Sequence, residues 1–468
     1  MKSLFPPKKC KLIYQSIFSL LLAGLLLVVP LNIVRHFNSQ YAYVDGYFVN
    51  YLDFVIHIID IAVLLLVVWM LVAGKFWTNR KLCVWLVVIL QLYILHNLIF
   101  RDVVVFYSST RLLLYLYCAV LIFFSDRLWN VWILFLVAIL CACIQSAIAM
   151  LQFYLGRNLG LSVFGESILQ VGGYATSSVV LPSGVELRGY GTFPHPNVLG
   201  GYLASVLLSV YFLLVKVKGL KRILLIGAAV LILGGVLVTW SRSAWLVILL
   251  VFMFGLTRKV FGLIKQGSAG LKTVKITLMS TGVVLAVSCG WIWMGQDDLS
   301  QAIHQRLLSQ TSISDVSVVE RRNLLERSFS MIKNNPFWGV GVGNFIPELA
   351  KDPVYTESGL RLMQPVHNVF VLIIAEAGIL GCALVICMAY WLIRAVKKYG
   401  LGSFAVPAIA VVLAAGMLDH YLWTLPQGLG ILLSLVINGK IFIQSNNVKP
   451  FDRACPSGGP EGNLITKS

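Results

Sequence analysis

The chain reads as an all-α polytopic membrane protein of about twelve transmembrane helices. Hydrophobic residues fill 59% of its 468 positions and charged residues only 12%, a balance foreign to soluble domains. Apolar stretches close to the roughly 20 residues that cross a ~30 Å hydrocarbon core recur along its length. Basic residues then gather in alternate connections between those stretches, as they do on the cytoplasmic side of a membrane.

The predicted spans are 12–34, 48–73, 82–100, 103–124, 128–155, 197–215, 223–240, 243–257, 276–294, 367–393, 402–422 and 424–443. The first follows Lys2, Lys8, Lys9 and Lys11, and no small-x-small cleavage site precedes Arg35, so it reads as a retained helix and not a signal peptide. Lys75, Arg80 and Lys81 follow the second span, and Lys216, Lys218, Lys221 and Arg222 the sixth. Arg258, Lys259, Lys265, Lys272 and Lys275 follow the eighth, Arg394, Lys397 and Lys398 the tenth, and Lys440, Lys449 and Arg453 attend the last. Both termini are therefore expected in the cytoplasm. The net charge of +18 reports topology and anionic headgroups and gives no reason to invoke nucleic acid. The short eighth stretch, beside Ser241-Arg242-Ser243, leaves eleven or thirteen spans as alternatives.

This divides the chain into residues 1–294 with nine spans and an outer loop at 156–196, a large extracytoplasmic loop at 295–366, three further spans over 367–443, and a polar, disordered cytoplasmic tail at 444–468. Cysteines fall in spans or cytoplasmic tails, so no outer disulfide is expected, and their spacing suggests no metal site.

Loops of such length usually carry function. Asp315 to Asn335 is amphipathic, with Val316, Val319, Leu324, Phe329 and Ile332 on its apolar side, and predicts a helix at the bilayer surface. Asn335-Pro336 ends it, and Gly339, Gly341 and Gly343 allow tight turns or a close approach. A structural cap over the bundle is the plainer reading of this loop. An ionisable side chain at the bilayer centre costs roughly 2.5–3.5 kcal/mol or more, and here such residues share one leaflet. Asp53, His57 and Asp60 stand at helical spacing in the outer half of the second span, His96 and Arg101 end the third, and Arg111 lies in the fourth. Arg242, His367, Asp419 and His420 also mark outer ends. Singly each is an interfacial anchor or a paired charge; together they predict a polar cavity open to the outside.

Four outer segments carry more specific information. Arg188-Gly189-Tyr190-Gly191-Thr192-Phe193-Pro194-His195-Pro196-Asn197 runs into the sixth span, with Asn197 a candidate N-cap. Ser241-Arg242-Ser243-Ala244-Trp245 joins the seventh and eighth spans. Arg321 and Arg322 open the segment that continues through Asn335-Pro336-Phe337-Trp338-Gly339-Val340-Gly341 to Phe345. His367-Asn368, nine residues, then Gly378-Ile379-Leu380-Gly381 head the tenth span.

In order, spacing and common side, these segments resemble the O-antigen ligase and polymerase family of bacterial membrane glycosyltransferases, which includes protein O-oligosaccharyltransferases. The resemblance is strongest over about 185–385. It implies a fold of the GT-C type and transfer of a glycan from a polyprenyl-diphosphate carrier to a hydroxyl acceptor, with no nucleotide sugar, metal or other cofactor. It also implies that His367 is the catalytic histidine and that Arg242 and Arg321 bind diphosphate, with Arg188 assisting and His195, Asn197, Arg322 and Asn368 near the substrate.

Those residue types suit the chemistry. Breaking a sugar–phosphate bond requires charge stabilisation on a departing diphosphate, and an arginine fork grips phosphate oxygens bidentately at any relevant pH. An imidazole, with an ordinary pKa near 6.5, is largely neutral at pH 7 and suits a general base; a helix N-terminus and nearby arginines favour the neutral form. Gly378 and Gly381 read as a helix-packing face, and Glu376 as a carboxylate in need of a partner. A lipid-linked glycan transporter is the non-enzymatic alternative, disfavoured by inner halves nearly free of charge and by the lack of a visible repeat.

Overall fold

The computed structural model describes residues 7–72, 102–125, 131–173, 176–181, 184–266, 316–355, 359, 361–398 and 402–447. The predicted third and ninth spans, with His96 and Arg101, lie outside these residues, as do the 295–315 stretch and the tail beyond 447.

The chain is mostly helical and multi-pass. Among the described residues the helices are α1 (Pro7–Val28), α2 (Ile58–Val72), α3 (Val103–Phe124), α4 (Val131–Leu155), α5 (Pro196–Lys216), α6 (Leu220–Val238), α7 (Arg242–Gln266), α8 (Val316–Asn334), α9 (Phe345–Lys351), α10 (Val369–Lys398), α11 (Gly402–Leu418), α12 (Tyr421–Thr424) and α13 (Pro426–Asn447). Among the described residues four helices are long and apolar enough to cross a membrane, within α3, α4, α5 and α6; the bent α10 makes a fifth if taken as one span. Shorter apolar helices lie at Ile13–Val28, Ile58–Val72, Arg242–Met253, Pro407–Leu418 and Pro426–Phe442. α4 packs against α1, α5 and α6, while α13 packs against α3 and α5. Their shared core includes Leu22, Ile59, Leu121, Phe193, Leu203, Ile232 and Ile437, all buried.

Several boundaries differ from the sequence expectation, each for a physical reason. The second helix starts at Ile58, not 48, and the chain is not wholly α. Strand β1 (Val34–His36) pairs antiparallel with β4 (Val55–His57), and β2 (Tyr43–Val44) with β3 (Tyr47–Phe48) around Asp45-Gly46. Aromatic and β-branched residues make 47–57 as apolar as a span, but they also favour strand. Asp53 and His57 therefore precede the helix: the Asp53 carboxylate accepts from the Ser39 amide and bonds the His36 ring, both at 2.9 Å. A third ribbon joins β5 (Ser178–Leu181) to β6 (Gly184–Leu187) in the 156–196 loop. The eighth apolar stretch is short, Arg242–Met253, though α7 itself runs on to Gln266 over 25 residues, and the eleventh span stops at Leu418, leaving Asp419 and His420 in a turn before α12.

Asp60 and Arg111 do lie in helices, and they are paired, with Arg111 Nη2 3.2 Å from Asp60 Oδ2 and Tyr115 donating to Asp60 Oδ1 at 2.7 Å. That pairing is what makes both charges tolerable in a span.

α10 carries the sharpest departure. Gly378 is a break, not a packing face: at φ 65°, ψ −172° it sits in a region essentially reserved for glycine, and the helix bends there by 115°. The break orphans backbone groups, and the 335–341 segment satisfies them. Val340 N donates to Ala375 O at 2.9 Å, Gly341 N to Glu376 O at 2.8 Å, and Ile379 N to Pro336 O at 2.9 Å, so no buried amide near the bend is lost. The approach is backbone on backbone, which explains Gly339: a Cβ there would lie 2.4 Å from the Glu376 carbonyl carbon. Glu376 also has its partner, for Trp423 Nε1 donates to its carboxylate at 2.7 Å. Gly378→Ala would place a Cβ 2.3 Å from Phe337 O in a conformation that costs an alanine about 1–3 kcal/mol. The expected result is a lower melting temperature and a reduced folded yield in detergent, measured by fluorescence-detected size exclusion against Gly227→Ala, where an added Cβ meets nothing within 4 Å.

Candidate active site

The arginine-bearing segment before α5 is clamped from two sides. Gln152 Oε1 on α4 accepts from the amides of Tyr190 and Gly191, at 3.0 and 2.8 Å, and Gln145 Oε1 accepts from Thr192 N at 2.8 Å. Gly189 N donates to Val238 O at the end of α6. Arg188 is thereby held below the surface, only 6% exposed, its Nε donating to Thr239 O at 2.7 Å. The turn from α6 into α7 is tight enough to put Trp240 at φ 50°, the left-handed region that a tryptophan seldom adopts. This delivers Arg242 to the first turn of α7, whose positive N-terminal end favours anions.

α8 supplies the third arginine. Its buried side is Leu324, Ser328 and Met331, packed toward Val340, Leu372 and Ala375, whereas Phe329 faces outward, against the sequence expectation. The result is one cleft of about 70 Å³ lined by Arg188, Asn197, Trp240, Arg242, Ser243, Arg321 and Leu418. That volume is on the order of five water-sized occupants, about one phosphate group. Three arginines from three separate elements thus line one small cleft.

Asn197 links the cleft to the histidine side. His195, not Asn197, is the N-cap of α5: its Nδ1 accepts from Asn197 N at 3.2 Å, and Pro196 takes the first helical position. This frees the Asn197 side chain, whose Oδ1 accepts from Arg188 at 2.7 Å while Nδ2 donates to Asp419 Oδ2 at 2.7 Å. Asp419 Oδ1 accepts from the His420 amide at 2.7 Å and stands 3.7 Å from His367 Nδ1. That last separation exceeds hydrogen-bond length, and His367 Nδ1 is buried without a hydrogen bond. The His367 side chain is 19% exposed, so it is the rest of the ring that faces solvent. The rings of His367 and His420 lie 5.1 Å apart, and Tyr51 meets His420 edge-on.

Burial by itself would raise the Asp419 carboxyl, but the imidazoles of His367, His420 and His195 outweigh it and hold the group below the usual carboxylate range. Burial pulls His420 down to about 4 against the opposing influence of Asp419. It pulls His195 down to about 3, with Arg188 adding to the effect. Both rings are therefore neutral at pH 7, and their partners agree. His195 Nδ1 is an acceptor, so Nε2 carries the proton toward Ser177 Oγ at 2.9 Å.

Arg188, Arg242, Arg321 and Asn197 meet in the cleft, and His367 joins them through Asp419. Three expected substrate contacts stand elsewhere. Arg322 points away, largely exposed and paired with Glu326 at 3.0 Å, because adjacent helical residues diverge by about 100°. Asn368 caps α10, its Oδ1 accepting from Phe370 N and Val371 N at 3.0 and 3.1 Å. His195 serves the entry of α5. Asp419 is the residue the sequence undervalued; its only signal was an acid beside a histidine at the end of an apolar run.

Residues 227–386 match the family model described as O-antigen ligase. The matched segment, 160 of the chain's 468 residues, is similar to O-antigen ligase domains. It contains Arg242, Arg321 and His367, while Arg188, Asn197 and Asp419 lie outside its limits but in the same three-dimensional site. No curated protein matches the chain. The apolar helices, together with this similarity, mark the chain as a multi-pass membrane protein.

Proposed function

We propose that the chain is an inverting glycosyltransferase that moves a glycan from a polyprenyl diphosphate, of the undecaprenyl type, to a hydroxyl acceptor on the outer face of the bacterial inner membrane. The observation that carries this reading is the convergence of Arg188, Arg242 and Arg321 on one cleft that is two hydrogen bonds and one short gap from His367. Guanidinium forks compensate the charge that develops on the leaving diphosphate. The amide of Asn197 ties the arginine side to Asp419, and Asp419 stands 3.7 Å from His367 Nδ1. His367 takes the acceptor's proton as the hydroxyl attacks the anomeric carbon; the sugar–phosphate bond breaks, and its electron pair leaves on the diphosphate. No step in this scheme calls on a metal or other cofactor.

Purified protein in detergent, given a polyprenyl-diphosphate glycan and an acceptor in the presence of chelator, is expected to release polyprenyl diphosphate with inversion at the anomeric carbon. Retention of configuration or absence of release would count against the proposal. Mass analysis of surface glycans after gene deletion separates the acceptors: lost polymer on lipid A–core for a ligase, shortened chains for a polymerase, unmodified secreted protein for an oligosaccharyltransferase.

The proposed orientation puts both termini and the 258–275 connection in the cytoplasm, with 156–196 and 295–366 outside. An alkaline phosphatase fusion near Ser330 is expected to be active and one near Gln266 inactive. The reverse pattern would put the cleft on the wrong side for a lipid-linked donor.

A further inference from the structure

Three side chains that are distant in sequence form a second kind of site at the edge of the cleft. One ligand atom from each of His367, Asp419 and His420 lies within 4.8 Å of the other two. The Thr424 hydroxyl, which also reaches His420 O at 3.2 Å, lies 2.9 Å from His420 Nδ1. In the tautomer with the proton on Nδ1 the ring donates to Thr424 and Nε2 keeps a lone pair, so that Thr424 fixes the ring as a hydrogen-bonded second layer fixes a metal-binding imidazole. Asp419 uses one lone pair on each oxygen, toward Asn197 Nδ2 and His420 N, which leaves capacity on both. His367 Nδ1 is buried, has no hydrogen bond, and faces Asp419 across 3.7 Å.

That gap is too long for a hydrogen bond, but it is close to the separation of two ligands that share one cation. Bonds of about 2.0–2.2 Å to nitrogen and oxygen at a tetrahedral angle put the ligand atoms about 3.4 Å apart. Two imidazoles and one carboxylate, with a fourth position open, is a donor set that suits zinc and its neighbours and not the oxygen-seeking magnesium or calcium.

We propose that His367, Asp419 and His420 bind a zinc-class divalent cation, and that the bound cation silences transfer. The silencing rests on the transferase reading above, since the cation occupies the imidazole and carboxylate that proton transfer needs; the binding does not.

The full-length chain, purified in detergent and stripped with chelator, is equilibrated with zinc chloride, washed and assayed for metal by mass spectrometry. Wild type is expected to retain one more zinc per chain than His420→Gln. The zinc concentration that halves transfer is expected to rise at least about tenfold in His420→Gln. Equal zinc content in the two proteins overturns the site. Should His420→Gln fail to fold, Thr424→Val, which only releases the ring, is expected to weaken zinc binding about tenfold, and wild-type affinity in that variant overturns the site equally. A chain that loses transfer to chelator and regains it with zinc overturns the silencing. Because the metal count needs no glycan donor, a protein inactive on the donor still decides the cation site; the transferase reading then fails, and the silencing with it.

Discussion

His367→Ala is expected to lower transfer by roughly 10²–10⁴-fold, the share that a positioned proton transfer usually contributes, while the chain folds and still binds its lipid-linked donor. Folding survives because the ring is partly exposed and its Nδ1 makes no hydrogen bond, so its loss orphans no buried group. Donor binding survives because the cleft is lined by arginines and Asn197, not by His367. A general base must be neutral to work, so the rate, measured in chelator, is expected to fall on acidification. A fall above about pH 5 cannot come from His420 or His195, which burial holds at about 4 and 3. Asp419, held below the usual carboxylate range, stays ionised throughout. Near wild-type transfer by His367→Ala would sink the general-base assignment; loss of donor binding with unchanged folding would make the histidine a phosphate ligand.

Arg242→Lys and Arg321→Lys are each expected to cost about 10²-fold in kcat, comparable to removing one preorganised donor from a charge-stabilising site, although the formal charge is kept. The reason is geometric. A cleft of about 70 Å³ lined by arginines from three separate elements favours planar forks that share phosphate oxygens, whereas an ammonium offers a single point of charge on a flexible stem. Arg188 differs, because its guanidinium also bonds Thr239 O and Asn197. Arg188→Lys should therefore disturb Asn197 and, through it, Asp419. Full activity in both the Arg242 and Arg321 variants, with purified donor and chelator present, would refute the fork argument.

The membrane class, most helices and three of the cleft's arginines were legible in the chain itself, because composition and apolar periodicity are local properties. A run of apolar residues predicts a span wherever burial alone decides, as for α3, α4 and α5. It misleads where the same residues suit two structures, as at Tyr47–His57, which is apolar enough for a span and β-branched and aromatic enough for strand. It also gives no warning of the break at Gly378, where a glycine read as a packing surface is instead a bend sealed by amides from 336–341.

The pairing of charges required the fold. Arg188 and Arg321 are 133 positions apart in the chain and line one cleft; Asn197 reaches Asp419 across 222 positions. Which of two adjacent arginines enters the cleft follows from helix phase, so Arg321 faces in and Arg322 pairs with Glu326. Side-chain types announce what chemistry is affordable at a site, since a fork, an imidazole or a carboxylate keeps its character anywhere. Partnership is a matter of distances of a few ångströms between helices whose order in space no local pattern records, and those distances bring His367 to Asp419 and His420.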